Sequence, residues 1–383
     1  MGKRVADILF GILCTFMICV PLLCSNNKEN LTATDENRFL AGFPQIVDGG
    51  DVNEKFLTEV DAWLDDNIGF RTILVKLNAR IMYHCFGRLP ESSYMYLGPE
   101  NELNYITPEI LKDYQHLNLK SEEELNTIAD SYQTVSDYLK EKGIQYYYFQ
   151  CWDKHSICPE QFPKTVNQYG TTSKTDQIVS DLQENTDINV VSPKQSLLNA
   201  KENYDVYSIW GDPAHWTRRG AYVGYCELMD AINSNNDYLY RVLKEEDYTI
   251  MLTDQGYSVS GIHKVDMLEN FAITHPTAEV TNEKLTLYSE LADHGCYYYT
   301  NPSVDNTTRV LIIGDSYFGK GLMVDQLAES FHETILITAT YTRNLVELVE
   351  AYQPDIVINE NAERCERTGE MYVVAQQIKQ LGQ

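Results

Sequence analysis

The sequence is short of positive charge: 30 lysines and arginines stand against 56 aspartates and glutamates over 383 residues, a formal net charge of −26. A field of that sign repels phosphates, so it argues against a nucleic-acid or anionic-lipid surface and disfavours a strongly polyanionic substrate. Metal-ligand spacing is also missing. No Cys or His pair is matched by a second pair, so no zinc site is read, and no cofactor is expected. There is no internal repeat and no low-complexity tract. Near the start, Lys3 and Arg4 precede an apolar run from Ile8 to Leu23, yet no small-x-small cleavage site follows. Residues 1–25 therefore read as a membrane anchor or a secretory signal, with the missing cleavage site favouring the anchor, its basic end cytoplasmic and the rest of the chain outside.

What is present is a chain of 43% apolar residues, long enough for one large core or two modest ones. Residues 26–53 are polar and rich in Asn, Asp and Gly, a tether. From 54 to 95 the apolar positions Phe56, Leu57, Val60, Trp63 and Leu64, then Ile73, Leu74, Leu77 and Ile81, fall at three- and four-residue spacing, which predicts two helices or one kinked helix. Residues 96–383 alternate helix and strand patterns, the signature of an α/β domain with a mostly parallel sheet and flanking helices. Tyr- and Thr-rich residues 236–300 interrupt that alternation as a β-rich insert. Outside the anchor lie six cysteines. Cys151 and Cys158, around "CWDKHSIC", either close a small disulfide loop or stay as two buried thiols.

Reactive groups in open α/β sheets gather beyond the carboxyl ends of the strands. In "VLIIGDSYFGKG", residues 310–321, four apolar residues run into a Gly-Asp-Ser corner that places Ser316 at such an end. The pattern predicts a helix from about 319 to 330, whose free N–H groups would stabilise a negative oxygen near the serine. A serine becomes a nucleophile when a histidine takes its proton and a carboxylate orients that histidine. The stretch "WGDPAHWT", residues 210–217, supplies Asp212 and His215 three residues apart, with Thr217 placed to cap a following helix. None of the other histidines combines a carboxylate at comparable spacing with a strand end for support.

"GDSY" after an apolar strand, with "DPAHWT" about a hundred residues earlier, resembles the SGNH hydrolase superfamily, and within it the alginate O-acetyltransferase-like, or DHHW, branch. "ENRFLAGFPQ", "FLTEVDAWLDDNIGFRTILVKLNARI", "DKHSICPEQFP" and "PDIVINENAER" resemble further stretches of that branch, where the serine likewise follows the histidine in the chain. The resemblance implies an SGNH-like fold with Ser316, His215 and Asp212 as catalytic residues. The branch usually has one residue between acid and base. Here there are two, as in the wider superfamily, which keeps Asp205 as an alternative acid. With Ser316 as nucleophile its own backbone N–H falls to the oxyanion by geometry, and the resemblance implies that Arg343 and Tyr341 in "ATYTRNL", and more distantly Asn359, line the oxyanion or substrate site. Some relatives carry a tyrosine where this chain has Cys158, which favours the local disulfide.

By the same resemblance the expected activity is O-acetyl transfer to a cell-surface or secreted polysaccharide through an acyl-serine, with a multi-spanning membrane O-acyltransferase supplying the acetyl group. Two alternatives stand beside it. One is a polysaccharide or small-ester acetylesterase with the same triad; the other is a non-catalytic polysaccharide-binding or assembly protein on the same fold. The expected location is the cell membrane by a single pass, with the catalytic domain extracytoplasmic, or secreted if the first segment is cleaved.

Overall fold

The structure, a computed structural model, describes residues 2–25, 32–33, 38–48, 51–90, 94–259, 261–288 and 291–382. Of the expected tether, residues 26–31, 34–37 and 49–50 lie outside the described residues. The chain divides into two compact units, Met1–Met95 with Tyr257–Lys264, and Tyr96–Gly256 with Val265–Gln383.

In the first unit Gly2–Leu23 is a helix, and its segment Arg4–Leu23 is long and apolar enough to cross a membrane. The second apolar stretch does form two helices, Phe56–Asn67 and Arg71–Phe86. They are separated by a turn in which Phe70 takes φ of 63° and Gly69 approaches the first helix so closely that an added Cβ would lie 2.6 Å from the Cys24 carbonyl oxygen. Ile73, Leu74, Leu77 and Ile81 share one side of the Arg71–Phe86 helix and are exposed, whereas Ala79, on the opposite side, is buried.

The second unit is built on a sheet of seven strands among the described residues: β1 (Gln145–Cys151), β2 (Asn189–Val191), β3 (Glu279–Val280), β4 (Tyr297–Thr300), β5 (Arg309–Gly314), β6 (Glu333–Thr338) and β7 (Ile356–Ala362). Their spatial order is β3-β4-β6-β5-β7-β1-β2. The strands from β6 through β2 run parallel, and β4 and β3 add an antiparallel edge. Parallel sheets are covered on both faces and so read as continuous apolar runs. Val310–Ile313 in β5 and every residue of β7 are buried accordingly.

Helices Glu122–Glu141, Lys174–Asn185 and Thr368–Leu381 pack together, as do Lys194–Ala200, Arg218–Ser234 and Met323–Ala328. The first begins at a capping box in which the Ser121 hydroxyl takes the Glu124 N–H, while the Glu124 carboxylate takes the Ser121 N–H. The region expected as an insert holds a long hairpin, Tyr248–Val259 with Ile262–Ile273. Its far end is not an insert, because β4 pairs with β6 as part of the main sheet. From β5 the chain crosses to β6 on one side and next to β7 on the other, so the carboxyl ends of β5 and β7 border a topological switch point, the usual crevice for ligands.

Candidate active site

Ser316 lies directly beyond β5. Gly314 ends the strand where a Cβ would meet Glu360 at 3.3 Å, and the Asp315 N–H donates to the Glu360 carboxylate at 2.7 Å. Full burial, with the Asp315 charge beside it, pushes the Glu360 carboxyl well above its ordinary range. Asp315 builds the corner: its side chain accepts the Tyr317 N–H at 3.0 Å and its carbonyl the Phe318 N–H at 3.1 Å. The hydroxyl of Ser316 is left exposed on the turn. The helix expected from about 319 begins only at Met323, because residues 315–322 continue as turns. A helix N-terminus therefore does not serve Ser316, although no acceptor among the described residues takes the serine's own N–H.

The histidine segment is fixed from both sides. Thr217 caps the Arg218–Ser234 helix, accepting from the Gly220 N–H, and its own N–H and hydroxyl donate to the carbonyls of Val206 and Asp205. Buried Trp216 donates from Nε1 to the Tyr317 carbonyl at 3.2 Å, and its ring meets the Tyr317 ring edge-on at 5.0 Å. The tyrosine hydroxyl also lies 3.0 Å from the Ala214 carbonyl. The residues after His215 and after Ser316 thus lock two segments together that lie a hundred positions apart.

The result is a hydrogen-bonded chain. His215 Nε2 lies 2.7 Å from Ser316 Oγ, and His215 Nδ1 lies 3.0 Å from Asp212 Oδ2 and 3.2 Å from Oδ1. A carboxylate accepts, so the ring proton sits on Nδ1 and the Nε2 lone pair faces the serine. Burial alone would raise the Asp212 carboxyl. Hydrogen bonds from the His215 ring and from the Ala214 and His215 backbone N–H groups outweigh it and hold the group below the usual range. Asp205 meets this region through its carbonyl, to Thr217, and the structure gives the imidazole to Asp212.

A cavity of about 490 Å³ opens over Ser316, His215 and Asp212. The hairpin supplies one wall, with Thr253, Asp254, Gln255 and Asn270; Arg218 and Lys320 line the cavity as well. Asp266 fastens that hairpin to the histidine loop by accepting the Trp210 and Gly211 N–H groups at 2.5 and 2.7 Å. Arg343, Tyr341 and Asn359 are not among the lining residues. Arg343 is largely exposed and reaches toward Glu370, Tyr341 stacks on Tyr288, and Asn359 is buried within β7. Tyr341 and Arg343 follow β6 but lie in the 3-10 turn Ala339–Asn344, and β7 runs on to Ala362, so Asn359 sits inside the strand rather than at its end.

The residue that the sequence reading missed is Arg364, just past β7. Its Nη2 lies 2.8 Å from His215 Nε2, and its Nη1 donates to the Tyr317 hydroxyl at 3.0 Å and to Asp153, which follows β1. The Tyr317 hydroxyl donates to the same Asp153 oxygen at 2.5 Å. Burial opposes the charge of Arg364, and the carboxylate of Asp153 more than offsets it, so the guanidinium stays protonated. Position was the available clue, since "PDIVINENAER" ends on this arginine, at a strand end beside β5.

Behind it lies a second buried group. The Asp113, His155 and Glu363 ligand atoms lie within 4.8 Å of one another, a spacing that could hold a metal ion. Each is already engaged: His155 with Asp113 at 3.2 Å, and Glu363 with the Asp153 N–H at 2.8 Å and the Ser156 hydroxyl at 2.6 Å. Lys174, 4.0 Å from Asp113, adds positive charge. The arrangement reads as an ion-pair network that stiffens the strand ends carrying Asp153 and Arg364. Cys151 and Cys158 are both free and buried, so the loop between them is held without a disulfide.

The parallel sheet, the switch-point crevice and the serine corner at its rim define an SGNH-like α/β domain. The chain belongs to the AlgX family: the family model described as SGNH hydrolase-like domain, acetyltransferase AlgX, matches residues 111–354. Solved structures similar to this chain include PatB1 of Bacillus cereus, with TM-score 0.49 and 16% identity, covering 66% of this chain and 93% of that one. Others are a DHHW family protein of Eubacterium siraeum (TM-score 0.47, 13% identity, 66% and 89% covered) and the O-acetyltransferase domain of Pseudomonas putida AlgJ (TM-score 0.42, 14% identity, 75% and 98% covered). No curated protein sequence matches the chain.

Proposed function

We propose that this chain is an extracytoplasmic O-acetyltransferase that acylates hydroxyl groups of a cell-surface or secreted polysaccharide. The observation that carries the reading is the continuous chain from Asp212 through His215 to Ser316 Oγ. His215 Nε2 takes the serine proton as Oγ attacks the acetyl carbonyl. Asp212 holds the tautomer and balances the imidazolium, and the Ser316 N–H faces the developing oxyanion. An acetyl-serine results; a sugar hydroxyl entering the cavity gives its proton to His215 and takes the acetyl group. Membership of an acetyltransferase family supports transfer. The apolar helix supports anchoring beside a multi-spanning membrane O-acyltransferase as acetyl donor. The corresponding organisation is an anchor or signal over 1–25, a tether over 26–53, a helical segment over 54–95 and a catalytic domain over 96–383.

Hydrolysis is the second reading, favoured by the exposure of Ser316, which admits water to the acyl-enzyme. The full chain in detergent, given a chromogenic acetyl ester with and without an oligosaccharide acceptor, separates the two. Transfer predicts acetylated acceptor that vanishes in Ser316→Ala. Ester cleavage without acceptor labelling would make the chain an esterase. Absence of serine-dependent turnover in a folded protein would leave a binding role.

A further inference from the structure

We propose that Arg364 is a catalytic residue of this site, its Nη2 donating to the oxyanion that forms when Ser316 is acylated; the assignment rests on the acyl-serine reading above. Acyl transfer places negative charge on the carbonyl oxygen, and a site achieves its rate by aiming fixed donors at that point. Ser316 offers one such donor, its own N–H. The helix that would have supplied more begins seven residues later, at Met323. Arg364 fills the gap.

Its guanidinium is divided between two tasks. Nη1 is committed to Asp153 and the Tyr317 hydroxyl, a buried anchoring in which the side chains of Arg364 and Asp153 are 12% and 5% exposed. Nη2 is left pointing at His215 Nε2, which is also 2.7 Å from Ser316 Oγ. The arginine nitrogen and the serine oxygen are thus neighbours around one atom, and the oxyanion of the adduct is separated from Oγ by the acyl carbon alone. A cation donating to the lone pair of a general base hinders that base at rest. The hindrance ends when Nε2 receives the serine proton, because a protonated Nε2 cannot accept and Nη2 must turn to the nearest new acceptor. That acceptor is the oxyanion.

The step balances within the residues named. The Oγ–C bond forms, the carbonyl π pair moves to oxygen, and the Oγ proton passes to Nε2. On collapse the bond to the leaving oxygen breaks and that oxygen takes the Nε2 proton. Arg364 keeps its proton throughout, its charge matched by Asp153. The other cations at the cavity are engaged differently: Arg218 binds the Gly321 carbonyl at 3.0 Å, and the Lys320 ammonium lies 5.8 Å from the centre of the Tyr297 ring. Arg364 is not among the cavity-lining residues, so it would reach the oxyanion from behind the cavity wall, through the Nη2 that already meets His215 Nε2.

The test uses the full chain, the chromogenic acetyl ester and a trifluoromethyl ketone, which forms a tetrahedral oxyanion adduct with a reactive serine. Arg364→Gln is expected to lower kcat by about 10²-fold with KM unchanged. Affinity for the ketone should fall in the same proportion, and Arg364→Lys should recover part of both. Should Arg364→Gln misfold because Asp153 loses its partner, Asp153→Asn with Arg364→Gln removes the stranded charge and is read the same way. A kcat within about threefold of wild type would overturn the assignment, as would a lowered kcat with undiminished ketone affinity, which marks a merely structural arginine. Ketone binding reads Arg364 even where wild type shows no ester turnover, so failure of the acetyltransferase reading and failure of this assignment remain distinct.

Discussion

Replacing Asp212 by asparagine tests the hydrogen-bonded chain where it is least redundant. The carboxylate accepts from three N–H groups, the Ala214 and His215 backbone N–H at 2.8 Å each and His215 Nδ1, whose one proton is shared between Oδ2 at 3.0 Å and Oδ1 at 3.2 Å. Asparagine can keep the backbone pair only by turning its carbonyl oxygen toward them, which aims its NH₂ at Nδ1. Two donors cannot face each other, so the ring proton moves to Nε2 and the serine loses its base. The displaced proton then also confronts Arg364 Nη2, 2.8 Å away, so the imidazole is pushed out of line as well as inverted in role. Loss of the correct tautomer in a serine triad costs about 10⁴-fold in kcat, or roughly 5 kcal/mol of barrier. Because the backbone hydrogen bonds survive, the thermal unfolding midpoint should be close to wild type. Ser316-dependent hydrolysis of a chromogenic acetyl ester, followed under saturating substrate, measures the effect. An Asp212→Asn protein with kcat within about tenfold of wild type would refute the reasoning and return the orienting role to another group.

Two further outcomes concern the scaffold. Gly220→Ala would place a Cβ 2.5 Å from the Val206 carbonyl and 2.8 Å from the Trp216 Cβ. Overpacking of this kind costs about 1–3 kcal/mol, read as a lower unfolding midpoint, and an unchanged midpoint would show that the His215 segment is not held as described. Burial opposes the charge of His155, yet Glu363 and Asp113 outweigh it and raise the imidazole from 6.5 to about 9. Its charge therefore contributes stability that is complete below pH 6.5 and is lost as pH rises through about 9. Wild type should lose stability across that window in pH-dependent thermal melts. His155→Gln should show a flatter profile, and equal slopes for the two proteins would contradict the network.

The elements followed from local pattern. Four consecutive apolar residues ahead of Gly314 specify a strand buried on both faces, and Ser121 and Thr217 cap helices because a hydroxyl before a helical stretch reaches its own first N–H groups. Asp212 and His215 were legible for a similar reason: three residues within one turn keep a carboxylate and an imidazole in contact whatever the rest of the fold does. The helix after Ser316 begins later than the pattern predicts because the Tyr317, Phe318, Gly319 and Leu322 N–H groups are taken up in turns.

By itself the sequence determined the parallel α/β class and the apolar first helix, and it singled out the serine, histidine and acid proposed for the site, since each depends on periodicity or on neighbours in the chain. Only tertiary structure decided that Ser316 and His215 meet, through the Trp216 and Tyr317 contacts, that a hairpin walls the cavity, and that Arg364 rather than Arg343 approaches the imidazole. Such choices depend on which strand ends become neighbours in the sheet and on charges from distant segments neutralising one another, as Asp153 does for Arg364. Neither condition is written at any spacing along a single chain.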